Sequence, residues 1–208
     1  YPTVIIGNRE WMAQNLRVTH EPVPDPITGD TIELDDTHYA SYLIDFGPSD
    51  YALQAGAFYS WSLVEDLCPI GWRVPSDADW NELRAFLDPI NSGFSNLAGG
   101  MMKAITPTDQ AVGHWNQPNV DATNESGFSG IPTPYFQGPN FLTGTLGGTF
   151  IHEAEWWSTD THTSFPNTYY HTVTLQADKS YLLNSSMTGT GTYGPNFGKY
   201  HPVRCVKN

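Results

Sequence analysis

Hydrophobic positions fall in short runs separated by turn residues, and one stretch carries strand, cap and helix signals in unbroken succession. From Cys68 to Leu87, Pro69 and Gly71 mark a turn and Trp72-Arg73-Val74 reads as a short extended piece. Pro75 excludes helical geometry from Val74. Ser76 is then the natural N-cap, with Asp79 placed to complete a shortened capping box and Asp77 suited to the positive end of the helix dipole. Trp80, Leu83, Phe86 and Leu87 recur at helical spacing, and Asp88-Pro89 ends the run. The pattern predicts a short amphipathic helix anchored by a tryptophan.

Elsewhere the periodicity is that of strands. Tyr1 to Ile6 is β-branched and alternating, Gly7-Asn8 is a turn pair, and Arg9 to Thr19 continues the apolar pattern, which predicts a hairpin. Ala55 to Val64 is an apolar, aromatic element, and a second short helix or a turn is expected between Asn96 and Ile105 around Gly99-Gly100. Gly113 to Pro134 reads as a long ordered loop, because Trp115, Phe128 and Ile131 punctuate it. Thr149 to Ser158, Tyr169 to Gln176 and Tyr181 to Met187 are strand candidates, the last two joined by a turn at Ala177-Asp178-Lys179-Ser180. Pro202 to Lys207 reads as a terminal strand. No linker splits the pattern, so the 208 residues are expected to form one domain.

Composition narrows the class. Only 15% of residues are charged, aromatics make up 13%, and 19 glycines with 16 prolines suit a loop-rich α+β or mainly β protein. A net charge of −13 with nine basic residues argues against nucleic acid and anionic lipid as partners. Between Glu21 and Asp50 the chain is acidic and irregular. Asp25, Asp30, Asp35 and Asp36 could form a cation site or a solvated loop, and the loop is favoured because no Asp-x-Asp-x-Asp-Gly spacing is present. No apolar run is long enough to span a membrane. The opening Tyr1-Pro2-Thr3-Val4, without an initiator methionine, points to an export signal or another domain upstream.

Two cysteines remain. A Cys68–Cys205 disulfide would tie the helix region to the terminal strand and contribute roughly 4–5 kcal/mol through the unfolded chain. The alternative is a pair of buried thiols.

Five blocks in order carry a resemblance: Thr3 to Thr19 (TVIIGNREWMAQNLRVT), Leu67 to Trp80 (LCPIGWRVPSDADW), Ala122 to Pro132 (ATNESGFSGIP), Trp156 to Thr159 (WWST) and Val203 to Lys207 (VRCVK). Together they resemble the Fibrobacter succinogenes major paralogous domain family. The Arg73-to-Trp80 segment, with the late Gly-Phe and terminal Arg-Cys, is also similar to the C-type lectin-like fold of the formylglycine-generating enzyme group. The resemblance implies a C-type lectin-like α+β fold, mostly antiparallel with one or two short helices and long ordered loops. It also implies an exported, often lipid-anchored bacterial surface protein, with both cysteines in structural positions.

Catalytic patterns are weak. His152-Glu153-Ala154-Glu155-Trp156 starts like a zincin helix but has Trp156 where the second histidine belongs. Gly127-Phe128-Ser129-Gly130-Ile131 lacks the final glycine of a nucleophile elbow, and Glu153 with Glu155 reads more simply as a solvent face than as a glycosidase pair.

Binding is the better expectation. Trp157, Asp160, Tyr169, Tyr170, Tyr181, Asn184, Tyr193, Asn196 and Tyr200 lie in a stretch poor in charge and rich in Ser, Thr and Gly, the composition of a recognition surface for a protein or glycan. C-type lectin-like folds display their ligand face in this late segment. Gln117-Pro118-Asn119 also resembles the tripeptide with which calcium-dependent lectins hold a sugar, and Trp157 to Asp160 is a distorted echo of their Trp-Asn-Asp. That reading makes Gln117, Asn119 and Asp160 candidate calcium ligands. Without calcium, no cofactor is expected.

Overall fold

The computed structural model describes residues 1–18, 39–40, 55–65, 67–91, 93–105, 114–133, 135–137, 145–147, 152–188 and 199–208. Short antiparallel strands dominate, with few helices, so the fold is α+β. Strands β1 (Thr3–Ile6), β2 (Arg9–Met12), β5 (Trp72–Arg73) and β12 (Val206–Lys207) form a sheet of order β1-β2-β12-β5. The expected hairpin is its first half, and Val206 pairs with Trp11, so the two chain ends close on each other.

A second sheet has order β3-β4-β11-β6-β7, built from Tyr39–Ala40, Phe58–Ser60, Lys199–Pro202, Tyr135–Gln137 and Thr145–Gly147. The third contains the longest elements: β8 (Glu153–Ser164), β9 (Asn167–Gln176) and β10 (Leu183–Thr188), ordered β10-β9-β8. The terminal strand expected at Pro202–Lys207 is instead two short strands in different sheets, β11 and β12.

Helix α1 (Asp77–Leu87) forms where the cap predicts. Ser76 Oγ accepts from the Asp79 amide and Asp79 Oδ2 accepts from the Ser76 amide at 2.8 Å. Trp80 and Leu83 are buried, but Phe86 is 60% exposed and lies over Gly7 at the β1–β2 turn, so the apolar stripe is narrower than the spacing implies. The second helix, α2 (Ala98–Met102), packs too closely for any side chain at its two glycines. A Cβ on Gly99 would sit 2.4 Å from Tyr181 O, and one on Gly100 2.4 Å from Asp121 O.

Two buried clusters lie on either side of β8. One gathers Trp11, Trp80, Trp115, Phe128, Trp156 and Leu175; the other gathers Tyr59, Leu67, Val74, Trp157, Tyr170 and Cys205. Adjacent strand residues point to opposite faces, so Trp156 enters the first and Trp157 the second. Cys68 and Cys205 are disulfide-bonded, closing a separation of 137 residues. Among the described residues no helix is long and apolar enough to cross a membrane.

Asp79 is 2% exposed. Burial raises its pKa, but hydrogen bonds from Arg73 and Ser76 outweigh this and hold it at about 2. The folded value lies below the ordinary carboxylate value of 3.8, so the stabilisation is present above pH 4 and is lost as pH falls from there toward 2. Urea unfolding should show stability falling by on the order of 2 kcal/mol across that window beyond the loss in Asp79→Asn. Equal acid sensitivity of the two proteins would contradict this role for Asp79.

Candidate functional site

The outer face of α1 carries polar residues one turn apart. Asn81 and Arg84 project there, toward a turn at Gly93–Ser95 and the start of β10. Together Asn81, Arg84, Gly93, Phe94, Leu182, Leu183 and Asn184 line an open depression of about 270 Å³.

Asn96, wholly buried, joins the walls. Its Oδ1 accepts from the Leu182 amide at 2.9 Å and the Ala98 amide at 3.2 Å, while its Nδ2 donates to Leu182 O and Gly93 O. Asp88 ends α1 by accepting from the Leu97 and Asn91 amides at 2.8 and 3.1 Å, bonds that lower its pKa, the Leu97 contact most.

Inside the depression Arg84 Nη1 donates to Asn184 Oδ1 at 3.2 Å, Arg84 Nη2 donates to Asn81 Oδ1, and Asn184 Nδ2 reaches Asn81 Oδ1 at 3.3 Å. These amide oxygens orient the guanidinium without neutralising it. At the rim, Phe94 is 72% exposed and meets Tyr181 edge to face, ring centroids 5.4 Å apart. A planar cation, side-chain amides and an aromatic face converge, the elements that orient a polar ligand in a shallow site.

A second cluster lies where β8 crosses the start of α1. The β8–β9 register breaks between Trp157 and Thr161, and this bulge turns Ser158, Thr159 and Asp160 toward the helix. Asp160 Oδ2 accepts from the Asp77 amide at 2.6 Å, and the Thr159 amide donates to Pro75 O. Ser158 Oγ donates to Asp77 Oδ1 at 2.6 Å. Asp77 Oδ2 meets His171 Nδ1 at 2.5 Å, and His171 Nε2 meets His162 Nδ1 at 2.7 Å. The Asp77 carboxylate can only accept, so His171 is an Nδ1–H donor; a neutral His171 then accepts His162 Nδ1–H. Tyr169 stacks on His162, centroids 4.6 Å apart. This Asp–His–His chain resembles a base with its orienting groups. Its nearest hydroxyl, however, is Ser158, which is wholly buried.

The expected binding residues divide between interior and surface. Asn184 lines the depression and Tyr181 meets Phe94 at its rim, while Asp160 and Tyr169 belong to the bulge cluster. Trp157, Tyr170 and Tyr200 must be corrected: they are 2%, 7% and 1% exposed. Trp157 donates its indole hydrogen to Tyr59 O at 2.7 Å and Tyr170 packs on Trp61, because β8 and β9 have core on both faces. Tyr193 and Asn196 lie outside the described residues, as do Asp25, Asp30, Asp35 and Asp36.

The calcium set does not assemble. The Asn119 loop is bound at the far end of β9, where the Val120 amide donates to Ala177 O. Asp160 is on the order of 20 Å away along the strand pair and occupied as a helix cap. Gln117 is exposed, and Asn119 Nδ2 donates to Ala104 O. Among the described residues no three His, Cys, Asp or Glu side chains converge as a metal site.

The sequence reading missed Asn81, Arg84 and Phe94. The i, i+3 spacing of Asn81 and Arg84 on the polar face of α1 was a usable signal. Phe94 follows a glycine in an irregular turn, and nothing local marks it as exposed.

Fold and site together define a disulfide-closed α+β module with a shallow, amide-lined surface depression. The chain belongs to the Fibrobacter succinogenes major domain family (Fib_succ_major), whose profile it matches over residues 4–207. No curated protein and no solved structure matches it.

Asp77→Ala should leave the buried Ser158 hydroxyl and the His171 imidazole without their acceptor and lower stability by about 1–3 kcal/mol in urea unfolding. A change under about 0.5 kcal/mol would show that the Asp77 carboxylate does not hold Ser158 and His171 in place.

Proposed function

We propose that this chain is a non-catalytic binding module of an exported bacterial surface protein, and that it holds a glycan in the depression between α1, the Gly93–Ser95 turn and β10. The observation that carries the reading is the meeting of the exposed Phe94 ring, backed at the rim by Tyr181, with the Arg84, Asn81 and Asn184 side chains in one open depression. An aromatic face takes the apolar side of a sugar ring, and planar amides and a guanidinium meet hydroxyl groups at fixed angles.

A C-type lectin-like arrangement of the scaffold is part of the proposal. It is supported by the likeness of the Arg73-to-Trp80 segment to that fold and by the place of Asn184, from the late segment, in the wall of the depression. Export is supported by the Cys68–Cys205 disulfide, since such bonds persist in oxidising compartments. Lipid anchoring rests on the family resemblance alone.

Glycan and protein arrays probed with the chain and with Phe94→Ala and Asn184→Ala variants test the reading. A glycan signal is expected that falls at least tenfold in both variants while their folding is unchanged. Array silence, or a signal indifferent to both substitutions, would favour a purely structural envelope or pilus module and remove the proposal.

A further inference from the structure

We infer that the depression is selective for a saccharide bearing a carboxylate, an inference that rests on the glycan-binding reading above. The cations near α1 are not equivalent. Arg9 lies 3.3 Å from Asp79 and 3.2 Å from Glu82, and Arg73 forks onto Asp79. Lys207 pairs with Glu10 and Lys179 with Asp178. Arg84 has no carboxylate partner among the described residues, although the chain carries 22 acids against nine bases.

Its two contacts are to neutral amide oxygens. Asn184 takes one hydrogen of Nη1 and Asn81 one hydrogen of Nη2, so each nitrogen retains a second N–H. The guanidinium plane is therefore fixed while its charge and part of its fork remain available. Asn81 and Asn184, bonded to each other, take the two facing hydrogens of the fork, so the hydrogens left on Nη1 and Nη2 diverge and a carboxylate oxygen can take a charge-assisted bond from either.

Size and shape select the rest of the ligand. About 270 Å³ is below the range of ~300–1,000 Å³ that encloses drug-sized molecules, so the site takes one ring or a chain end. Leu182 is buried behind the wall and Leu183 is half-buried, so there is no deep apolar recess for a peptide side chain. What faces outward is the Phe94 ring, 72% exposed, which suits the flat side of a pyranose. An acidic ring seated on Phe94 with its carboxylate on Arg84 satisfies both features.

The test compares matched ligands: a neutral oligosaccharide, its uronic-acid counterpart, a sialylated glycan, and an acidic peptide of equal charge. Titration calorimetry is run on the full chain and on Arg84→Gln, Arg84→Lys and Phe94→Ala, each checked for an unchanged unfolding midpoint. At least one carboxylated sugar should bind tenfold or more tightly than the neutral one, and raised salt should narrow the gap. Arg84→Gln should abolish the gap, Arg84→Lys should restore only part of it, and Phe94→Ala should weaken every sugar. Equal binding of neutral and acidic sugars, still dependent on Phe94, would overturn the acidic preference and leave the glycan reading intact. Tighter binding of the acidic peptide would assign the site to protein ligands, and no sugar binding at all would remove both readings.

Discussion

The Arg204 guanidinium is buried at the centre of the first core cluster, and the surrounding fold has to accommodate its charge. Its Nε and Nη2 donate to Asn15 Oδ1 at 3.0 and 2.8 Å, Nη1 donates to Phe128 O, and the cation lies 4.0 Å from the centre of the Phe128 ring. Burial lowers its pKa, yet a guanidinium stays charged at neutral pH, so the interior must supply oxygens and aromatic faces in place of water. Asn15 Oδ1 also accepts from Trp156 Nε1 at 2.8 Å, while Asn15 Nδ2 donates to Ala55 O. One amide thus links four distant parts of the chain. Leaving a buried charge without its partner costs on the order of 3–5 kcal/mol, a large share of a typical domain's stability.

The family blocks meet at this point. Trp11 and Asn15 come from the first, Trp80 from the second, Phe128 from the third, Trp156 from the fourth and Arg204 from the fifth. Trp80 lies 4.9 Å from Trp11 and 6.0 Å from Phe128, centroid to centroid. The motifs that identify the family are therefore interior packing and a buried cation. The second cluster is held to the first by β8, and the disulfide next to Arg204 closes the second cluster on itself. Against this scaffold the depression sits on the outer side of α1, and its side chains take no part in the Arg204 network. Its lining residues can change without rebuilding the core, which suits a module whose ligand is set at the surface.

Much of the architecture was legible wherever local signals act over a few residues. The Gly7-Asn8 hairpin, the Ser76 cap with Asp79, the short helix at Gly99-Gly100 and the β9–β10 turn all depend on turn and cap chemistry that a short peptide already contains. The cysteine pairing was one of two open readings until the structure brought Cys68 to Cys205. The site was less legible. Alternation along single strands cannot reveal that β8 and β9 are covered on both faces, or that β11 lies between β4 and β6 in another sheet, which is why Trp157, Tyr170 and Tyr200 read as surface. The β8 bulge, which makes Asp160 a helix cap, arises from a register shift between strands and leaves no mark in either strand alone. Composition singles out Tyr181 and Asn184, which stand at the rim and in the wall of the depression, whereas Phe94 becomes exposed only through the tertiary placement of its turn.

A double-mutant cycle on Asn15 and Arg204, read by urea unfolding with the disulfide intact, tests most directly whether the fold is organised around the buried cation. Asn15→Ala and Arg204→Met should each be clearly destabilising. The double variant should lose about 1–3 kcal/mol less than the two single losses combined, because each change removes the same network. Losses that simply add, to within about 0.5 kcal/mol, would contradict the claim.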